Sequence, residues 1–201
     1  MKKLKIKDCV TVALLSALYI IFYMIAGSVV MVFGAFGHAI SPGACGLIVG
    51  PIIYFLTRKV GKMGQFTLMQ AIVMIIYSVM GAGYLPWLIT SMVGALIADL
   101  IASRESRPAT WKVGIASGVF HVGQAFGSII PSWFFVDSYR EEWIGRGQTP
   151  EAMDAMIYYT QGFMGVIATV VVFALSFVGA YFGQLLLKKH LDKNVEKKAA
   201  A

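Results

Sequence analysis

The sequence predicts an all-α integral membrane protein of six transmembrane helices, with the N and C termini both cytoplasmic. Three observations predict it. Six stretches are apolar enough, and near enough to about 20 residues, to cross a hydrocarbon core. Fifteen of the seventeen Lys and Arg residues fall in four patches that alternate with those stretches. The patches are Lys2, Lys3, Lys5 and Lys7; Arg58, Lys59 and Lys62; Arg104, Arg107 and Lys112; and Lys188, Lys189, Lys193, Lys197 and Lys198. Basic side chains stay on the cytoplasmic side during insertion, so the alternation sets orientation as well as topology. Finally, 58% of the 201 residues are apolar and 13% charged, which leaves too little polar surface to cover a soluble core.

The first span is expected at 9–33, with Asp8 as its N-cap. Its length exceeds that of a signal-peptide core, so the Lys-rich start does not make it a leader. The second, at 39–57, is interrupted by Pro42 and Pro51. The third, 66–82, and the fourth, 84–102, are joined by a tight turn, Gly81-Ala82-Gly83-Tyr84, on the outer side. The fifth covers 113–136 and the sixth 162–187. Between them the connection from Asp137 to Thr160 carries five acids against two bases and is too polar for lipid. Its first part reads as a Gly-flanked loop. Its second part, 150–159, opens after Thr149 with proline in the first turn and acids nearby, the start of a short extracellular helix. The whole chain, 1–201, reads as a single membrane domain.

Helical spacing assigns the inward faces. On the fifth span Ser117, His121, Gln124, Ser128 and Ser132 share an arc of about 80°. Trp87, Thr90, Ser91, Gly94 and Ala98 share one on the fourth; Gln161, Gly165, Ala168, Ser176, Gly179 and Gly183 on the sixth; Gln70, Tyr77 and Gly81 on the third. Polar groups in lipid turn toward the bundle or a watery cavity. Such faces serve as packing surfaces, since small residues let membrane helices approach. They also serve as ligand sites, since a few polar groups among aromatics make small-molecule pockets. The candidate substrate-binding residues are His121 and Gln124 as hydrogen-bonding groups and Trp87 and Trp133 as stacking walls. Tyr84 is a further aromatic wall, and Tyr158, Tyr159 and Gln161 are expected to close from above.

Several classes find no support in the residues. The net charge of +7 accompanies no basic helix or aromatic–basic module, so no nucleic-acid partner is expected. Cys9 and Cys45 have no metal or redox spacing, and neither a metal nor a cofactor is expected. Glu141-Glu142-Trp143-Ile144-Gly145-Arg146 matches the EExxxR string of intramembrane CAAX-type proteases, but here it falls in an outer loop and only His190 follows it. No nucleophile–base set lies in the spans, so no enzyme is expected. Asp99, near the cytoplasmic end of the fourth span, reads either as a carboxylate paired with Arg104 and Lys112 or as a proton-coupling site.

Ala13-Leu14-Leu15-Ser16-Ala17 places two alanines one turn apart on the first span. Six spans in about 200 residues, termini inside, a Lys-rich lead and this AxxxA together resemble the S components of energy-coupling factor (ECF) transporters. Within that family the chain is most similar to the Trep_Strep (MptS-like) group. The likeness takes in the Lys-Leu-Lys-Ile-Lys-Asp start, 94–100 and 133–139. It implies a bacterial plasma-membrane subunit that captures a vitamin or other micronutrient outside and docks on a T subunit driven by two cytoplasmic ATPases. Ala13 and Ala17 would then be the docking surface. The absence of a Walker-type phosphate loop fits that division of labour. The alternative is a stand-alone ion- or proton-coupled carrier with Asp99 and His121 titrating, against which stands the lack of a two-fold repeat. The candidate pocket is aromatic and neutral, which favours an uncharged or cationic heteroaromatic substrate unless Arg140 folds inward.

Overall fold

A computed structural model describes residues 3–105 and 107–199, with side chains as far as residue 187. Lys2 and the side chains of the last basic patch and of His190 lie outside the described residues. The described chain is helical, with no strand among the described residues.

Helix α1, Ile6–Val30, is an almost continuous apolar run, and a helix satisfies every backbone group of such a run within itself. It begins earlier than the expected residue 9, and Asp8 is its third residue, not its N-cap. The Asp8 carboxylate reaches back to accept the backbone N–H of Lys5 at 2.7 Å, and Lys62 donates to the same oxygen. The Lys62 hydrogen bond, with that of the Lys5 backbone, holds the carboxyl below its usual range. A 3₁₀ turn, Met31–Phe33, and Gly34 at φ 61° then fold the chain back. No side chain is favoured in that left-handed region, and glycine enters it freely. Helix α2, Gly34–Ile48, returns along α1.

The expected second span is two helices. Helix α2 stops at Val49, and α3, Gly50–Lys59, starts with Pro51 in its first turn. Pro51 has no N–H to give the preceding turn, so the ladder breaks there, whereas Pro42 is carried inside α2. Helix α4, Gln65–Val79, follows Gly64, and α5, Leu85–Ala102, follows the tight turn expected at 81–84. Helices α6, Thr110–Phe134, and α9, Gly162–Ala199, are the longest of the rest. Four stretches are long and apolar enough to cross a membrane by length and composition: Ile6–Ile48 (α1 through α2), Leu85–Ala102, Thr110–Phe134 and Gly162–Leu187; α4 is a shorter apolar helix.

The connection after α6 holds two helices where one was expected. Helix α7, Val136–Gly145, occupies the part read as a loop. Its apolar Val136, Tyr139 and Trp143 recur at helical spacing among the acids, and Tyr139 is buried. Helix α8, Pro150–Thr160, starts as expected: the Thr149 hydroxyl accepts from Ala152 N at 3.2 Å.

Backbone seams hold the bundle together. A Cβ on Gly50 would lie 1.9 Å from the Gly179 carbonyl oxygen, and one on Gly94 2.8 Å from the Gly123 Cα. At these points α3 meets α9, and α5 meets α6, main chain against main chain. Asp99 is fully enclosed and pairs with neither Arg104 nor Lys112. Its carboxylate accepts from Phe66 N, Thr67 N, the Thr67 hydroxyl and the Ser103 hydroxyl, at 2.7–3.3 Å. It caps the first turn of α4, where unpaired N–H groups and the helix dipole favour an anion. Lys112 instead pairs with Glu105.

Candidate functional site

The residue patterns that build the bundle leave one end with a cavity of about 430 Å³. It lies at the end of the α4–α5 turn and α7, away from the Asp8–Lys62 pair. Tyr23, Met24 and Ser28, with Met31 of the turn that follows, supply its α1 wall, and His38, Ser41 and Pro42 its α2 wall. Tyr77 comes from the end of α4, Tyr84 and Trp87 from the start of α5, and Gln124 and Ser128 from α6. Tyr139 and Trp143 of α7 complete it.

Aromatic rings run along this wall in sequence. Tyr23 meets Tyr77 edge-on with centroids 5.6 Å apart, and Tyr77 meets Trp87 at 5.9 Å. Near α7, Tyr84 contacts Tyr139 at 5.7 Å and Trp143 at 5.8 Å. Such arrangements present ring faces and edges to a bound molecule. Gln124 is buried. Its amide Nε2 donates to Gln70 Oε1 and to the Tyr19 hydroxyl, both at 3.0 Å, which fixes the side chain from behind.

Helix α7 is fastened over the cavity by Arg146. Its guanidinium donates to the carbonyls of Gly81 at 3.2 Å and Gly83 at 3.0 Å, pairs with Glu142, and lies over the Trp143 ring. Arg140 is turned outward and binds Asp154 of α8 through two hydrogen bonds, holding that carboxyl below its usual range. It does not fold into the cavity.

The structure brings together Tyr84, Trp87 and Gln124 of the residues expected to bind substrate, and places the others elsewhere. His121 is enclosed one turn behind Gln124. Its Nδ1 donates to the Ser117 carbonyl at 2.8 Å, and its ring stacks on Tyr19. Trp133 donates its indole N–H to the Thr160 carbonyl at 2.9 Å, tying α6 to the corner between α8 and α9. Tyr159 packs on Phe36, Tyr158 faces outward, and Gln161 is exposed at that corner. These four surround the α8–α9 corner and do not line the cavity.

Sequence reasoning missed the α1–α2 wall and α7. Tyr19 and Tyr23 extend the buried series Asp8, Val12 and Ser16 at helical spacing, a signal present in the residues. Ala13 and Ala17 lie on the opposite face of α1, exposed beside Leu14 and Leu18.

A family model described as a hypothetical bacterial integral membrane protein (Trep_Strep) matches residues 6–193. No curated protein and no solved structure matches the chain.

Proposed function

Because the chain belongs to the Trep_Strep family of bacterial integral membrane proteins, we propose that it is the substrate-binding subunit, or S component, of an ECF-type importer. In this reading six spans place both termini and the basic loops in the cytoplasm, and the cavity takes a vitamin or small micronutrient from outside. Docking then occurs on a T subunit that two cytoplasmic ATPases power.

The observation that carries the proposal is the division of α1 along its length. Its second half lines the cavity through Tyr23, Met24 and Ser28, while its first half leaves Ala13 and Ala17 bare. One helix thus touches a solute at one end and offers a small-residue surface, suited to close helix packing, near the other. The carrier reading receives no such support: Asp99 is consumed in capping α4, and His121 lies behind the cavity.

The test pairs copurification with transport. Ala13→Trp or Ala17→Trp is expected to abolish copurification with a T subunit and uptake in cells, while the purified protein keeps its fold. Unchanged copurification in both variants would sink the docking role. Uptake into liposomes driven by an ion gradient, with no ATPase present, would sink the importer reading.

A further inference from the structure

The cavity has a chemical bias that the proposed role leaves open. Among the described residues that line it, none is Asp, Glu, Lys or Arg. His38 can carry a positive charge, but its side chain is exposed, so water and not an enclosed anion already solvates it. The two nearby guanidiniums are already engaged, Arg146 with Glu142 and two carbonyls, Arg140 with Asp154. A carboxylate or phosphate in the cavity would lose water and gain no counter-charge.

The Tyr23, Tyr77, Tyr84 and Tyr139 hydroxyls can donate or accept, but the other neutral polar groups have a direction. Both hydrogens of the Gln124 amide are spent, on Gln70 and Tyr19. Its Oε1 keeps a lone pair, since a carbonyl oxygen accepts two hydrogen bonds and this one receives a single long contact from Tyr19 at 3.3 Å, and Gln124 is one of the residues that line the cavity. The hydroxyls of Ser28, Ser41 and Ser128 donate to the carbonyls of Met24, His38 and Ala125, so their oxygens are left as acceptors. On the α7 side the Trp143 indole N–H is buried without a partner, a donor lacking its acceptor.

We propose that this cavity takes an uncharged planar heteroaromatic molecule bearing a ring N–H. The rings of Tyr23, Tyr77 and Trp87 surround its plane, and Gln124 Oε1 accepts its N–H. The assignment rests on the capture role proposed above and narrows it to a substrate class. Gln70 and Tyr19 are positioning residues, because they set which edge of the Gln124 amide meets the ligand.

Three small probes test the class on the wild-type protein in detergent, by isothermal titration calorimetry. Quinolin-2(1H)-one is flat and neutral and carries one ring N–H. Its N-methyl derivative lacks that donor, and its 4-carboxylate adds an anion. The parent is expected to bind, with each derivative weaker by about tenfold or more. Gln124→Leu should weaken the parent and remove the difference between parent and N-methyl compound. A carboxylate that binds as well as the parent overturns the class, as does the absence of an N-methyl penalty in the wild type. Failure of all three to bind at millimolar concentration overturns it too. The importer reading fails separately: wild-type protein that does not copurify with a T subunit sinks that role whatever the probes do. A preference for the anion in a protein that does copurify overturns only the substrate class.

Discussion

Oδ2 of Asp99 accepts two hydrogen bonds from Thr67, one from the backbone N–H at 2.9 Å and one from the hydroxyl at 2.7 Å. With Phe66 N on the other carboxylate oxygen, α5 in this way holds the start of α4. Asp99→Ala strands these donors in a buried place and should cost about 3 kcal/mol, lowering the detergent melting temperature by about 10 °C. Arg104→Ala and Lys112→Ala should leave it within about a degree or two, since neither base touches Asp99. A larger loss in either basic variant than in Asp99→Ala would contradict the capping role.

The Asp8–Lys62 pair gives a pH dependence of known sign. The Asp8 carboxyl titrates lower in the folded protein than in the unfolded chain, where it is near 3.9. The pair therefore stabilises the fold above that value and loses its contribution as pH falls through the lower folded value. Lys62→Met should lower the melting temperature by a few degrees at pH 7 and by less at pH 3. An equal shift at both pH values would refute the pairing.

Gly50 has no room for a methyl group against the Gly179 carbonyl. Gly50→Ala should cost about 1–3 kcal/mol by overpacking and reduce the yield of monodisperse protein. Gly145→Ala, where a Cβ meets nothing within 4 Å, serves as the matched control and should behave like wild type. Size-exclusion profiles of the two variants decide the point.

Arg146 fixes α7 to the turn between α4 and α5. Arg146→Ala removes the bonds to the Gly81 and Gly83 carbonyls and should speed amide hydrogen exchange across 136–145 about tenfold. Exchange in 113–127, within buried α6, should not change. Uniform acceleration across both segments would mean that Arg146 stabilises the whole fold and not this wall.

The sequence was readable where one physical signal dominates. The arc of Ser117, His121, Gln124, Ser128 and Ser132 faces inward because polar groups on an apolar helix have nowhere else to go. Thr149 starts α8 because its hydroxyl and Pro150 favour the same turn. The failures share a cause. Helix α7 was hidden because Asp137, Glu141 and Glu142 mask its four apolar residues Val136, Tyr139, Trp143 and Ile144, which become decisive when α8 and Tyr84 cover them. Asp99 suggested pairing with nearby bases because sequence distance shows Arg104 and Lys112, and not the N–H groups of α4 that folding delivers. His121 and Gln124 share one face, yet the cavity stops at Gln124, because Tyr19 of a distant helix fills the next layer.

The glycine seams have a mechanical meaning. Where Gly50 meets Gly179 and Gly94 meets Gly123, no side chain can change rotamer to absorb a shift, so each pair of helices has one way to sit. Across the cavity, the α1 wall is different: Met24 and, in the turn after it, Met31 are unbranched, exposed and adaptable. The molecule has a stiff spine and a yielding flank, and a guest of unfamiliar outline would be accommodated by the flank.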